Sequence, residues 1–184
     1  MATDLFLARG YDGVSLDDII AESGGSKTNI YSHFGGKEGL FVGIIEGLCD
    51  QVNAKLQAVD LTGLTLEEGL RRLGRTLLVA LLDDRHLSLY RQVIGQSGRF
   101  PCIGHAWAKH GPEATRRVLS QFFTAHRDRL RGISPEQAAA LFHDIVAWTR
   151  LNRAVFGIDG NRAPTDLDHH TEESVSLFIQ GYIL

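Results

Sequence analysis

Apolar residues recur every three or four positions along nearly the whole chain, and alternating polar/apolar stretches are absent. That periodicity predicts helices without strands, an all-α fold. Leu5, Phe6 and Ala8 mark a short first helix over Ala2 to Arg9, stopped by Gly10. A second opens at Ser15. In Ser15-Leu16-Asp17-Asp18 the serine oxygen can accept the Asp18 amide, and the acids suit the positive end of a helix dipole. Leu16, Ile19 and Ile20 form its buried stripe, and Gly24-Gly25 ends it. A third runs from about Ser26 to His33, with Gly35-Gly36 as its stop. The fourth starts at Lys37 and is long, with Leu40, Phe41, Ile44, Ile45, Leu48, Val52 and Leu56 at spacings of three and four.

Thr65-Leu66-Glu67-Glu68 is a second capping box and opens a leucine-rich helix. Arg85 to Ser97 reads as the next. A long helix is expected from about Cys102 to Leu130, with a kink or local break at Gly111-Pro112. Ser134-Pro135-Glu136-Gln137 is a strong start for a helix to Phe156, since proline suits the first helical position. Gly160 to Pro164 is expected to be a loop. A last helix carries Val175, Leu177, Phe178, Ile179, Tyr182 and Ile183. The expectation is about nine helices, with no internal repeats.

Composition narrows the function classes. The 184 residues are 43% hydrophobic and 22% charged, enough for a real core and too apolar for disorder. No apolar run approaches the ~18 residues of a membrane span. Met1 to Asp4 is acidic where a secretion signal needs basic residues, so a cytoplasmic protein is expected. Cys49 and Cys102 stand alone, outside any metal spacing. Eight histidines raise the question of a metal. Yet His105 and His110 are five apart, His169-His170 are adjacent, and His143-Asp144 lacks the companions of a metal phosphohydrolase. No metal and no cofactor are expected. The net charge of -3 argues against a polyanion-binding surface spread over the whole molecule, so any DNA contact must be local.

Ser15 to Ser23 and Ser26 to His33 are two short helices joined by a tight glycine turn, the outline of a helix-turn-helix. The second helix offers Ser26, Lys27, Thr28, Asn29 and Ser32 at positions that a core does not need. These side chains can approach base edges. Tyr31, His33 and Lys37 flank them within reach of phosphates. Between Gly24 and Lys37 there are two lysines and no acids, yet residues 1 to 59 carry four Lys/Arg against eight Asp/Glu. From spacing alone, two solvated surface helices remain as good a reading.

The run from Leu5 to Phe41 resembles the TetR family signature in order and spacing over about forty residues, through Gly10-Tyr11-Asp12-Gly13-Val14-Ser15, Ser23-Gly24-Gly25-Ser26-Lys27-Thr28-Asn29-Ile30-Tyr31-Ser32-His33-Phe34 and Lys37-Glu38-Gly39-Leu40-Phe41. The resemblance implies a DNA-binding transcription regulator, most simply a repressor, that reads a palindromic operator as a homodimer and is released by a small molecule. It assigns Ser15, Tyr31 and His33 to phosphates, and Lys27, Thr28 and Asn29 to base edges or nearby phosphates. Lys37 would cap the fourth helix and face the DNA backbone, while Phe34 and Phe41 would lock the helix into the core. Three departures are visible. The first helix is short and lacks the basic arm of many members, so further native residues ahead of Met1 are an expectation. Gly25 stands where valine is common, which should loosen the turn. Ser32 replaces what is often a basic or aromatic residue, so one phosphate contact should be lost.

The resemblance implies a division into a DNA-binding module, residues 1–46, and a ligand-binding and dimerisation part, residues 47–184. In the second part, Arg91-Gln92-Val93-Ile94-Gly95-Gln96, Arg99-Phe100-Pro101, Trp107 and Gly111-Pro112 are similar to the C-terminal domain of AefR-like members. Residues after 59 are nearly neutral, with 15 Lys/Arg and 14 Asp/Glu. The helix from Ser134 is apolar on two faces, through Leu141, Phe142, Ile145, Val146, Trp148 and Leu151, and so needs two partners. Its second partner is expected to be another subunit, with the last helix sharing the interface through Val175, Phe178, Ile179 and Tyr182. Candidate ligand contacts are Tyr90, Trp107, His110, Phe123, His143 and Trp148, large residues carrying a few polar groups. Ordinary core residues are the alternative for each of these. For the chain as a whole, the alternatives are a helical interaction protein without DNA binding and a metal-dependent hydrolase.

Overall fold

The computed structural model describes residues 1–158 and 164–184. Among them the chain is all-α, with ten α-helices, one 3-10 turn and no strands. In order these are α1 (Ala2–Arg9), α2 (Leu16–Ser23), α3 (Lys27–Phe34), α4 (Lys37–Gln57), α5 (Leu66–Leu81), α6 (Asp84–Ser97), α7 (Pro101–His110), α8 (Pro112–Ala125), α9 (Pro135–Val155) and α10 (Pro164–Tyr182). Residues 160–163 of the expected loop lie outside the described residues, and Pro164 opens α10.

The helix expected from Cys102 to Leu130 is two helices. Gly111 ends α7 by donating its amide to Trp107 O at 2.8 Å, and Pro112 begins α8. Proline has no amide to give the preceding turn, and its fixed φ suits a first helical residue. All four prolines open a helix here. α8 stops at Ala125, five residues earlier than expected, and Arg127–Arg129 form the 3-10 turn. The three capping boxes at Ser15, Thr65 and Ser134 are present, each side chain accepting the amide three residues on.

Two hydrophobic cores organise the molecule. The larger is built from α5, α8, α9 and α10 around Phe123, Phe142 and Phe178, whose rings sit 5.3–6.0 Å apart. Phe123 and Phe178 are fully buried there, with Val175 beside them, so these residues serve the subunit's own core rather than a second subunit. The smaller core packs Phe6, Tyr11 and Phe41 against one another at 5.2–6.0 Å. It is completed by Leu89 and Val93 of α6 and by Ile103 and Ala106 of α7. α4 runs unbroken from one core into the other.

Polar contacts on α6 reinforce this junction. Ser88 Oγ donates to Leu7 O at 2.9 Å and Gln92 Nε2 to Phe6 O at 2.7 Å, both carbonyls of α1. Arg85 pairs with Asp4 at 2.7 Å, and Arg99, just past α6, pairs with Asp12 at 3.0 Å. From the opposite direction, Arg91 donates to Val155 O and Ala154 O, closing the C-terminal end of α9. The run Arg91-Gln92 to Arg99 thus fastens α6 to both halves of the molecule.

Candidate nucleic-acid interface and interior cavity

α2, the turn and α3 form one continuous unit packed on α1 and α4. α3 has no buried residue, and every position from Ala21 to Asn29 is exposed. A helix that buries nothing owes its place to its ends and neighbours. Ser26 supplies one end, its hydroxyl accepting the Asn29 amide at 3.2 Å. Gly35 supplies the other in the left-handed conformation, with φ of 73°. The turn before α3 is fixed by Gly24 and Gly25, at φ of 72° and 98°. Gly25 therefore does not loosen the turn. The turn of this chain uses a backbone conformation that a β-branched valine would strain.

Each candidate DNA contact has a definite place. Thr28 and Asn29 are exposed on the first turn of α3. Tyr31 is 58% exposed, its ring edge lying against Gly36. Ser32 Oγ donates to Asn29 O at 3.0 Å. His33 Nδ1 lies 2.9 Å from that same carbonyl, which can only accept, so Nδ1 carries the proton and Nε2 is left to meet an outside group. Ser15 is exposed but engaged: its hydroxyl accepts the Asp18 amide and donates to the Asp18 carboxylate at 2.6 Å. Lys27 Nζ is held 2.8 Å from Asp17, and that hydrogen bond raises the lysine pKa. Lys37 is not a cap. Gly36 is the cap, and Lys37 is the first residue of α4, half-buried with its ammonium 4.4 Å from the centre of the Tyr11 ring. Burial pulls its pKa down. Phe41 is fully buried as expected, but Phe34 is 44% exposed and lies along Gly43 instead of entering the core.

The acid excess of the first 59 residues loses much of its force in three dimensions. Asp4 and Asp12 face Arg85 and Arg99 from the larger half, Asp17 faces Lys27, and Asp18 is the capping carboxylate of α2. These carboxylates are tied to partners inside the molecule, and α3 itself carries none.

The second site is a cavity of about 180 Å³ between α4, α6, α7, α8 and α9, with Leu81 at the end of α5 closing one side. Of the six sequence candidates, Tyr90, Trp107, His143 and Trp148 line it. His110 does not; its ring lies 3.3 Å from Glu46 and 3.8 Å from Asp50, on the side of α4. Phe123 is also absent from the wall, being at the centre of the larger core. Sequence reading missed His86, Thr115, Arg116 and Asp144. Trp107 stacks on Tyr90 at 4.6 Å and 12° and meets His86 at 5.2 Å. Asp144 Oδ1 accepts from Arg116 at 2.8 Å and from His143 Nδ1 at 2.9 Å. Burial opposes the Asp144 charge, yet these two bonds hold its pKa below the usual range. Burial lowers the His143 pKa against the pull of that carboxylate. Cys49 also reaches the wall, with its thiol pushed up to about 12 by burial and so unreactive.

Among the described residues no helix is long and apolar enough to cross a membrane. Residues 1–44 match the family model for bacterial regulatory proteins, tetR family, and residues 68–183 match the C-terminal domain of the AefR-like transcriptional repressor. Among curated proteins the chain is 41% identical over 56 residues to the HTH-type transcriptional regulator LmrA of Bacillus subtilis, 30% of either chain. It is 35% identical over 125 residues to the HTH-type transcriptional repressor Rv3405c of Mycobacterium tuberculosis, 68% of this chain and 63% of that one. The matched stretches thus span less than two thirds of these relatives. Among solved structures, a TetR-family transcriptional regulator of Mesorhizobium loti superposes with a TM-score of 0.89 at 31% identity, over 100% of this chain and 93% of that one. The flavonoid-responsive regulator FrrA superposes with a TM-score of 0.80 at 29% identity, over 98% and 92%. The chain belongs to the TetR family of bacterial regulatory proteins, and its larger half is of the AefR-like type.

Proposed function

We propose that this protein is a transcription regulator, a repressor in the simplest case, that binds a palindromic operator as a homodimer in the cytoplasm and is released by a small molecule held in the cavity. The observation that carries this reading is α3: an exposed helix of short polar side chains and no acids, braced by α2. Residues 1–46 form the reading module in this proposal, and residues 47–184 the effector and dimerisation part. Thr28 and Asn29 read base edges, and Lys27, Tyr31 and His33 meet phosphates. Ser15, Ser26, Ser32 and Lys37 shape the surface, each engaged with its own chain. The name of FrrA describes a protein responsive to a flavonoid, and it supports a small-molecule effector here.

The dimer forms in this proposal through α9 and α10, where Trp148 is 64% and Leu177 is 63% exposed. A two-fold axis there sets two α3 helices about 34 Å apart or a multiple of it, matching successive major grooves. Release follows when the effector prefers a subunit geometry with other spacing. α4 and α6 carry that change, since both touch the cavity and the smaller core. No enzymatic step enters the reading.

The test is a titration of the protein against DNA upstream of its own gene, with scrambled competitor, at several salt concentrations. Specific binding with a steep salt slope is expected. Alanine at Lys27 or Tyr31 should weaken binding about equally on all sequences, whereas alanine at Thr28 or Asn29 should change the preferred sequence. Weak binding that is equal on every DNA, persisting through a selection from random sequences, overturns the regulator reading in favour of a helical interaction protein.

A further inference from the structure

The cavity wall carries polar atoms that the chain itself does not satisfy. His86, on the first turn of α6, is only 4% exposed, and neither of its ring nitrogens meets a hydrogen-bond partner among the described residues. Arg116 Nε is in the same condition, although the guanidinium also donates to Asp144. Buried polar groups left without partners are rare and costly, so two on residues that line one cavity point to an occupant that satisfies them. The remaining wall restricts that occupant. Tyr90, Trp107 and Trp148 give it flat aromatic surface on α6, α7 and α9. The one charged pair, Arg116 and Asp144, is already closed on itself. Burial brings the His86 pKa down to about 4, so at neutral pH its ring is uncharged, one nitrogen a donor and the other an acceptor. The volume of about 180 Å³ is little above the roughly 150 Å³ of an engineered cavity that holds benzene. That leaves room for one substituted ring or two fused rings.

Resting on the effector-site reading above, we propose that the cavity takes a small, flat, uncharged aromatic molecule bearing hydroxyl or carbonyl oxygen, a simple phenol in the first instance, with its oxygen held by His86 and Arg116. A hydroxyl can donate to the acceptor nitrogen of a neutral imidazole while it accepts from a guanidinium N–H. A carboxylate would meet Asp144 beside its only cation. An ammonium would meet Arg116 and find the acid already taken.

Trp107 and Trp148 are the two tryptophans of the chain, and both line the cavity, so intrinsic fluorescence reports its occupancy. Three probes of nearly one shape separate the possibilities: 4-ethylphenol, ethylbenzene and 4-ethylbenzoate. The phenol is expected to bind about tenfold more tightly than either of the others, the value of one well-made buried hydrogen bond. His86→Phe should remove most of the phenol preference over ethylbenzene without weakening ethylbenzene, and His86→Gln, which keeps a donor and an acceptor, should restore part of it. Equal affinity for all three probes, tightest binding of the carboxylate, or an undiminished phenol preference in His86→Phe overturns the proposal. The operator titration on the same preparations is independent. Selective phenol binding without operator binding sinks the regulator reading alone, and operator binding without phenol preference sinks this one alone.

Discussion

The reading surface and the cavity are built in opposite ways. The surface comes from one continuous stretch, residues 15–37, in which neighbours in space are neighbours in sequence. Apart from Lys37 its functional side chains are exposed, and their positions follow from two serine caps and a few glycines in the left-handed region. The cavity draws its walls from Cys49 to Leu151 on six helices, and apart from Asp144 and Trp148 its functional side chains are half-buried or buried. A site of the first kind survives as a local pattern. A site of the second kind exists only once the whole bundle has packed, and its chemistry is set by desolvation that no local pattern encodes.

The sharpest way to break this contrast is to ask whether the surface really stands alone. Phe41 lies beneath it, fully buried against Phe6 and Tyr11, and the same core continues through Leu89, Val93, Ile103 and Ala106 toward the cavity. Phe41→Ala should cost about 3–5 kcal/mol, as for other buried phenylalanines. Urea unfolding followed by helicity and by tryptophan fluorescence should show one coincident transition, shifted in both signals. An early loss of helix with the fluorescence transition unmoved would mean that residues 1–46 unfold as a separate body and that the shared core carries no coupling.

Legibility followed the same line. The capping boxes at Ser15 and Thr65, the helix start at Ser134, the helix stops at Gly10, Gly24 and Gly35, and the exposed face of α3 could all be read along the chain, because each depends on residues within about four positions. The errors arose where distant parts meet. Phe34 has an aromatic core signature, yet the bundle offers it only the shallow groove at Gly43. Phe123 looked like a cavity residue, and α9 and α10 enclose it completely. His86 carries no local signal, because a histidine on the first turn of a helix usually faces solvent and its burial beside Trp107 comes from the packing of the bundle. Gly111-Pro112 lies between these cases: the break was visible in sequence, while its outcome as two separate helices depended on packing.

Acid should expose the buried site next. In the folded protein His86 takes a proton only near pH 4, whereas in the unfolded chain it does so near 6.5. Between those values the unfolded state binds more protons, so stability is complete above about pH 6.5 and falls as the pH drops toward 4. At about 1.4 kcal/mol per unit, the loss approaches roughly 3 kcal/mol. His86→Phe should flatten most of this fall in urea midpoints measured from pH 7 to 4. A residual slope is expected from His143, whose pKa burial lowers as well. An unchanged slope in the variant would show that His86 is hydrated in solution and that the cavity is open to water on that side.

The smallest effect concerns the surface itself and tests whether its charge is free to act. Lys27 is the one lysine on α3, and Asp17 of α2 holds its ammonium at 2.8 Å. Both side chains are largely exposed, so the pair contributes little to stability and is easily screened. Its importance is for DNA: a cation already neutralised releases fewer counterions when it meets a phosphate. Asp17→Asn keeps a polar acceptor beside Lys27 and removes the charge. Operator binding should tighten by about threefold at low salt, and the slope of log affinity against log salt should steepen by about 1, with the thermal midpoint unchanged. Were Lys27 only a strap between α2 and α3, the same substitution would leave the slope alone and weaken binding on every sequence by loosening the unit. The two roles therefore move the affinity in opposite directions, and only one of them moves the salt slope, so a single titration series on this one variant separates them.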